Sequence, residues 1–380
     1  MSTLFTHVTA LLMDEQATTL TNGYVAVEGA HITYVGAQRP QGPFDQEIDC
    51  TGQVMLPGLV NAHTHIPMTL LRGYGGGHDL HTWLHQYIFP AEAKLDDRAV
   101  AAGAALGLAE MIASGVTCIA DMYLRTHAIA QQVLQAGISA NLSCGGVYFG
   151  DPDHFSPDAC RDCHNQRALT QEWHGAGDGQ ILVDASIHGE YTSSAPLWQW
   201  MADWAMMAQK GVSCVHNPYS NLKLGSGIAP IPAMAKAGVN LCLGTDGMSS
   251  HNSADLFADI KLAAVLHNGA ACDPMALSPR KALEMATVCG ARALGRPTGQ
   301  IVPGKAADLI LVDFTAPNLT PCHDVTENLV FAAHGSNVTM NMARGKVIYQ
   351  NGTFYTLDLE RIRWEVAHYA LPRIFEDRKG

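Results

Sequence analysis

Two histidines separated by one residue, His63 and His65, follow the apolar run Leu59-Val60-Asn61-Ala62. Residues two apart on an extended chain project from one face, so both imidazoles point the same way. Two converging imidazoles at a strand end supply half of a divalent-metal site, which needs a further ligand and an open position for water. A second apolar run, Val239-Asn240-Leu241-Cys242-Leu243, leads into Gly244-Thr245-Asp246-Gly247 and puts a carboxylate where a strand meets its loop. Each signal has a plainer reading. Paired histidines occur on solvated strands, and Asp246 would also serve as a turn cap ahead of Ser249-Ser250. If the two strands are neighbours, His63, His65 and Asp246 form one ligand set.

The elements that would position them alternate along the middle of the chain. Strand-like runs fall at Val54–Asn61, Thr117–Tyr123, Ser139–Cys144, Ile181–His188, Val212–His216 and Val239–Gly244. Alanine- and leucine-rich helical patterns lie between them, at Ala99–Ser114, His127–Ala136, Ala195–Gln209, Ile231–Ala237 and Ala254–His267. This βαβα order implies a parallel sheet. In a closed barrel the last strand neighbours the first, which would bring Asp246 to face His63 and His65. A closed barrel of this kind needs about eight strands; only six are legible. Short strands with turns, Gly23–Gly29 and His31–Gly36, open the chain, and similar ones return at Ala307–Val312 and Gly345–Gly352. They suggest a small β-sandwich built from both termini. The expected division is residues 1–57 and 304–380 for that sandwich, with a helical tail, and 58–303 for the barrel.

The 380 residues are 47% apolar and 15% charged, ordinary for a globular protein with a sizeable core. A net charge of −12 argues against nucleic acid or an anionic membrane as partner. The start, MSTLFTHVTALLMDEQ, lacks the basic region, apolar run and small-residue site of a secretory signal, so a mature cytoplasmic protein is expected. The 10 cysteines are scattered, as suits reduced thiols. Cys160-Arg161-Asp162-Cys163-His164 spells a haem-attachment pattern, read here as coincidence in a polar loop.

The segments PGLVNAHTHIPMTLLRGY, HNPYSNLKLGSGIAP and LGTDG resemble the amidohydrolase superfamily, within it the methylthioadenosine and S-adenosylhomocysteine deaminases, guanine-type deaminases and triazine hydrolases. The resemblance runs over nearly the whole chain. It implies a (β/α)8 barrel with a composite β-sandwich, and hydrolytic deamination of an aminated heterocycle using zinc, with iron(II) the alternative. It implies that His63, His65 and Asp246 bind the metal and that Asp246 also accepts the proton of the attacking water. It places Glu92, in Phe89-Pro90-Ala91-Glu92, on the ribose hydroxyls of a nucleoside, and His188, in Ile187-His188-Gly189-Glu190, against the substrate. His216 reads as packing or support, and Arg72-Gly73-Tyr74-Gly75-Gly76-Gly77 as a lid or a simple connection.

The family pattern also requires a strand bearing H-x-x-E, and then another ending in histidine. Here the fourth strand and the helix from Ala195 run straight into Met206-Met207 and the approach to Val212. Two βα units are absent, on the order of 60 residues. The expected fold is therefore an α/β, (β/α)8-type metal-dependent hydrolase barrel that is incomplete. Glu190 shares a strand face with His188 but sits on the fourth strand, a weak substitute for the lost glutamate. An open barrel exposes strand edges, which favours self-association into a homo-oligomer.

Overall fold

The computed structural model describes residues 1–145, 161–184, 186 and 211–375. Five strands come first: β1 (Ser2–Leu11), β2 (Thr19–Glu28), β3 (His31–Gly36), β4 (Gln46–Asp49) and β5 (Gln53–Pro57). Seven further segments follow: β6 (Leu59–His65), β7 (Val116–Met122), β8 (Ser139–Ser143), β9 (Ile181–Val183), β10 (Ser213–His216), β11 (Asn240–Leu243) and β12 (Asp246–Gly247). The chain ends with β13 (Leu309–Asp313), β14 (Val338–Ala343), β15 (Lys346–Gln350), β16 (Thr353–Phe354) and a helical tail from Leu359.

Strands from both termini join one nine-stranded sheet in the order β16-β15-β14-β13-β5-β1-β2-β3, with β4 on β1. The seam is β5, antiparallel to β13 and parallel to β1. Phe5, Val25, Ile32, Met55, Leu309 and Met340 bury together over this sheet, forming an apolar cluster separate from the main core. The first strand, β1, is not among those expected from the sequence, where Ser2–Leu11 is only a stretch without signal-peptide character.

The parallel strands run in the order β12-β6-β7-β8-β9, and β10 pairs in parallel with β11. β11 and β12 are two halves of one strand, so the described parallel set has six members. First and last are adjacent, since Asp246 pairs with Thr64 and Gly247 with His65. Asn61 clamps the join: its amide donates to Thr245 Oγ1 at 2.7 Å, and the Thr245 N–H returns a 3.1 Å bond to Asn61 Oδ1. Burial on both faces explains why β6 reads as a continuous apolar run, with Leu59, Val60 and Asn61 fully buried. The long helix Asp97–Ala113 starts where the Asp96 carboxylate accepts from the Ala99 N–H, and it packs on the segment after His65.

One boundary differs from the sequence reading, which ran a single barrel strand over Val54–Asn61. The structure cuts it at Gly58: β5 belongs to the nine-stranded sheet and β6 to the parallel set. A Cβ on Gly58 would lie 2.2 Å from Thr117 Oγ1, so glycine lets the chain cross from one sheet to the other against β7. Residues 187–210 lie outside the described residues, and with them His188, Glu190 and the expected helix Ala195–Gln209. The haem-like pattern Cys160–His164, expected in a polar loop, is described from Arg161, where a helix, Arg161–Trp173, takes the loop's place. No helix of the described residues is long and apolar enough to cross a membrane.

Candidate metal centre

The end of β6 carries His63 and His65 side by side, their ring centroids 4.8 Å apart and nearly perpendicular. Asp246 enters from the neighbouring β12 with a left-handed φ of 60°, an unusual conformation for a residue with a Cβ. Its Oδ1 stands 3.1 Å from His65 Nε2 and 3.6 Å from His63 Nε2. The donor atoms of all three side chains lie within 4.8 Å of one another, and among the described residues this is the only cluster of three or more metal-ligating side chains. Donors held at about 2.0–2.2 Å around one tetrahedral ion are separated by roughly 3.3 Å, which the His65–Asp246 and His63–Asp246 spacings bracket.

The hydrogen bonds around the cluster also suit an ion. His65 Nδ1 donates to the Met122 carbonyl at 2.6 Å, which turns Nε2 toward the centre, where it would hold an ion on losing its proton. Asp246 Oδ2 accepts from Ser220 Oγ at 2.6 Å and from Ser250 Oγ at 2.9 Å. One carboxylate oxygen is thus tied down while the other faces the imidazoles. Two imidazole nitrogens and a carboxylate oxygen form a donor set that suits zinc or iron(II) rather than magnesium or calcium.

Electrostatically the cluster is a trapped charge pair. Burial works against an ionised Asp246, but the hydrogen bonds and charges of His63 and His65 outweigh it and hold the carboxyl well below its ordinary range. Burial likewise works against a charged His65, yet the Asp246 hydrogen bond and charge, with the Met122 carbonyl, raise it to about 9. Behind them sits Asp121 at the end of β7, which burial pushes up to about 7 against the opposing Ile66 N–H and His65. Its Oδ1 accepts the Ile66 N–H at 2.6 Å and so shapes the chain just past His65.

A cavity of about 600 Å3 opens beside the cluster, lined by His65, Asp246 and Glu92 together with a wall of Leu80, Trp83 and Phe89. Glu92 accepts a 2.7 Å hydrogen bond from Tyr123 Oη. Burial raises its pKa, against the Tyr123 hydrogen bond and the His65 charge. Of the expected site residues, the structure therefore brings His63, His65, Asp246 and Glu92 to one place, and His188 lies outside the described residues. His216 is buried away from the cavity lining, with its Nε2 3.1 Å from His267 Nε2. The sequence reading missed Ser220, Ser250, Tyr123 and Asp121. Ser220 and Ser250 did stand within or beside the quoted motifs, but nothing in their spacing showed which group their hydroxyls would meet.

The sequence profile of the Amidohydrolase family matches residues 54–213 and again 188–348, the two matches overlapping at 188–213. The chain is 36% identical over 409 aligned positions to a 5'-deoxyadenosine deaminase of Methanosarcina acetivorans, covering 93% of this chain and 94% of that protein. A 5-methylthioadenosine/S-adenosylhomocysteine deaminase of Moorella thermoacetica is 36% identical over 411 positions, covering 90% of this chain and 94% of that one. A zinc-bound adenosine deaminase from Xanthomonas campestris superposes with a TM-score of 0.87 at 29% identity, covering 96% of each chain. Since 93% of 380 residues is about 353, roughly 56 of the 409 positions aligned with the Methanosarcina protein face gaps in this chain. With the profile matched across most of the length and relatives this similar over nine-tenths of it, the chain belongs to the amidohydrolase family.

Proposed function

We propose that this chain is a metal-dependent hydrolytic deaminase of a purine nucleoside or related aminated heterocycle, with zinc held by His63, His65 and Asp246. The observation that carries the reading is the convergence of those three side chains, two of which, His65 and Asp246, line a cavity with Glu92. The relatives that match nearly the whole chain are named as deaminases of 5'-deoxyadenosine or methylthioadenosine and S-adenosylhomocysteine. Bound there, the ion would supply the Lewis acidity that brings the pKa of a water down to about 7.

The chain's own residues would do the rest. Asp246 takes the water's proton, with its free choice of orientation removed by Ser220 and Ser250. Glu92, braced by Tyr123, accepts the ribose hydroxyls, and His188 contacts the substrate. The wall of Leu80, Trp83 and Phe89 keeps water from the reacting carbon and offers an apolar surface to the rest of the substrate. Among the described residues, the cavity lining includes no arginine. Guanine-like bases and triazines fit the same chemistry as alternatives.

The same reading assigns the chain an incomplete barrel, folded against a small β-sandwich formed by the nine-stranded sheet, with domain limits at 57/58 and 303/304. The roughly 56 gapped positions support the loss of two βα units, and so does the overlap of the two profile matches at 188–213. No H-x-x-E occurs anywhere in the 380 residues, so the proton donor for the ring nitrogen and the leaving amine is missing. That absence favours a second reading, in which the barrel binds its ligand but turns over far more slowly than the complete relatives, or not at all. The cytoplasm and a homo-oligomeric state are part of the proposal. The test is ammonia release by the purified chain with added zinc, on adenosine, methylthioadenosine, guanine and triazines. Slow release confined to nucleosides supports deamination. Robust turnover would show that other residues replace the lost glutamate, and no ligand binding at all would remove the deaminase reading.

A further inference from the structure

Beyond the cluster at the end of β6, a second pair of imidazoles stands at the entrance to the cavity. The chain from Leu80 to Glu92 is helical throughout, its turn Trp83–Ile88 widened to π geometry. It carries His81 and His85, four residues apart and therefore on one face. Both are exposed, and their ring centroids lie 4.3 Å apart with the planes tilted by 38°. Trp83 and Leu84, between them, are buried, so the two histidines form the solvent side of an element anchored by its apolar side. Neither imidazole has a hydrogen bond or ion pair among the described residues, so no neighbouring carboxylate occupies its ring nitrogens. His85 packs edge-on against Phe89, and both residues line the cavity that holds His65 and Asp246.

We propose that His81 and His85 form a second divalent transition-metal site on the rim of the cavity. Two histidines spaced i, i+4 on a helix are the simplest chelate that two imidazoles can make, since both rings reach one ion without moving the backbone. Imidazole donors select zinc, nickel or copper(II) over magnesium and calcium, which require oxygen ligands. Water completes the coordination. An ion there sits over His85 at the mouth of the cavity, so excess metal obstructs ligand entry without displacing anything from His63, His65 and Asp246.

The test uses the untagged chain carrying one equivalent of zinc, titrated with nickel(II) by calorimetry. One further ion should bind per chain. His81→Gln and His85→Gln should each weaken that binding by at least the roughly 10- to 100-fold that loss of a ligand's own hydrogen-bond partner costs. Copper(II) bound in place of nickel should show two equivalent nitrogen couplings in its paramagnetic resonance spectrum. Nickel binding unchanged in both variants, or none by the parent chain at millimolar nickel, overturns the proposal. Zinc retained by the first site is read separately by metal analysis, so a failure there leaves this result standing.

Discussion

Ser220 Oγ donates a 2.6 Å hydrogen bond to Asp246 Oδ2, and Oδ1 of the same carboxylate faces His63 and His65. The bond spans 26 residues and ties the helix Pro218–Lys223 to β12. It matters because Asp246 sits at a positive φ, where its side chain has to be held by something other than its own backbone preference. Ser250, four residues on, supplies the second hydroxyl at 2.9 Å.

Ser220→Ala should therefore weaken zinc binding by about 10- to 100-fold, as removal of a ligand's supporting hydrogen bond commonly does. The fold should be unaffected, because Ser250 still satisfies the same oxygen. Competition against a chromogenic chelator measures the change. An affinity equal to that of the parent chain would mean that the hydroxyl positions nothing.

Glu92→Gln tests the ribose assignment by binding rather than turnover. A carboxylate accepting ribose hydroxyls contributes about 1.5–3 kcal/mol, so adenosine should bind roughly tenfold or more weakly to the variant. Adenine, which lacks the sugar, should be nearly unaffected. Calorimetry with both ligands decides it, and equal losses for the two would place Glu92 against the base instead.

Much of this site was legible because its main ligands come from strand ends with unmistakable local patterns. His63 and His65 share a face by periodicity alone, and adjacency of first and last strands is a property of barrel closure that Asp246 inherits. The supporting groups were not legible, for a physical reason. Ser220, the Met122 carbonyl and Tyr123 act through contacts set by tertiary packing, and a hydroxyl or carbonyl carries no mark of what it will face. The break at Gly58 was hidden similarly. Val54–Asn61 reads as one apolar strand because both halves are buried, although in different sheets.

His216 and His267 make a stability prediction with a definite sign. Their Nε2 atoms are 3.1 Å apart, so one ring donates to the other's lone pair and both must be neutral. Burial, then the charge of His267, lowers His216 to about 4, and burial also lowers His267. An unfolded histidine titrates near 6.5, so between about pH 6.5 and 4 the unfolded chain binds more protons and stability falls as the solution becomes more acidic. Above about pH 6.5 the penalty vanishes. Between pH 7 and 5 the parent chain should lose about 2 kcal/mol more than His216→Gln loses. Urea unfolding at the two pH values measures it, and parallel losses in parent and variant would show that the pair does not titrate as described.

The last prediction concerns the crossing between the two sheets. Gly58 has an ordinary negative φ, so its glycine is required by space and not by backbone conformation. An added Cβ would fall 2.2 Å from Thr117 Oγ1, 2.3 Å from Thr117 Cγ2 and 2.7 Å from Thr117 Cβ. Thr117 is itself fully buried on β7, so the threonine has nowhere to swing. Gly58→Ala should destabilise the chain by about 1–3 kcal/mol, the usual cost of overpacking a dense interior. The damage should spread to the metal centre, because Gly58 directly precedes β6 and any shift there is transmitted to His63 and His65. Combining it with Thr117→Ala removes two of the three clashing atoms and should recover part of the stability, which separates overpacking from a general intolerance of change at this position. Thermal unfolding of the two single variants and the pair, with zinc content measured on each, checks both statements. A Gly58→Ala chain as stable as its parent would mean that the two sheets are free to move apart at this seam.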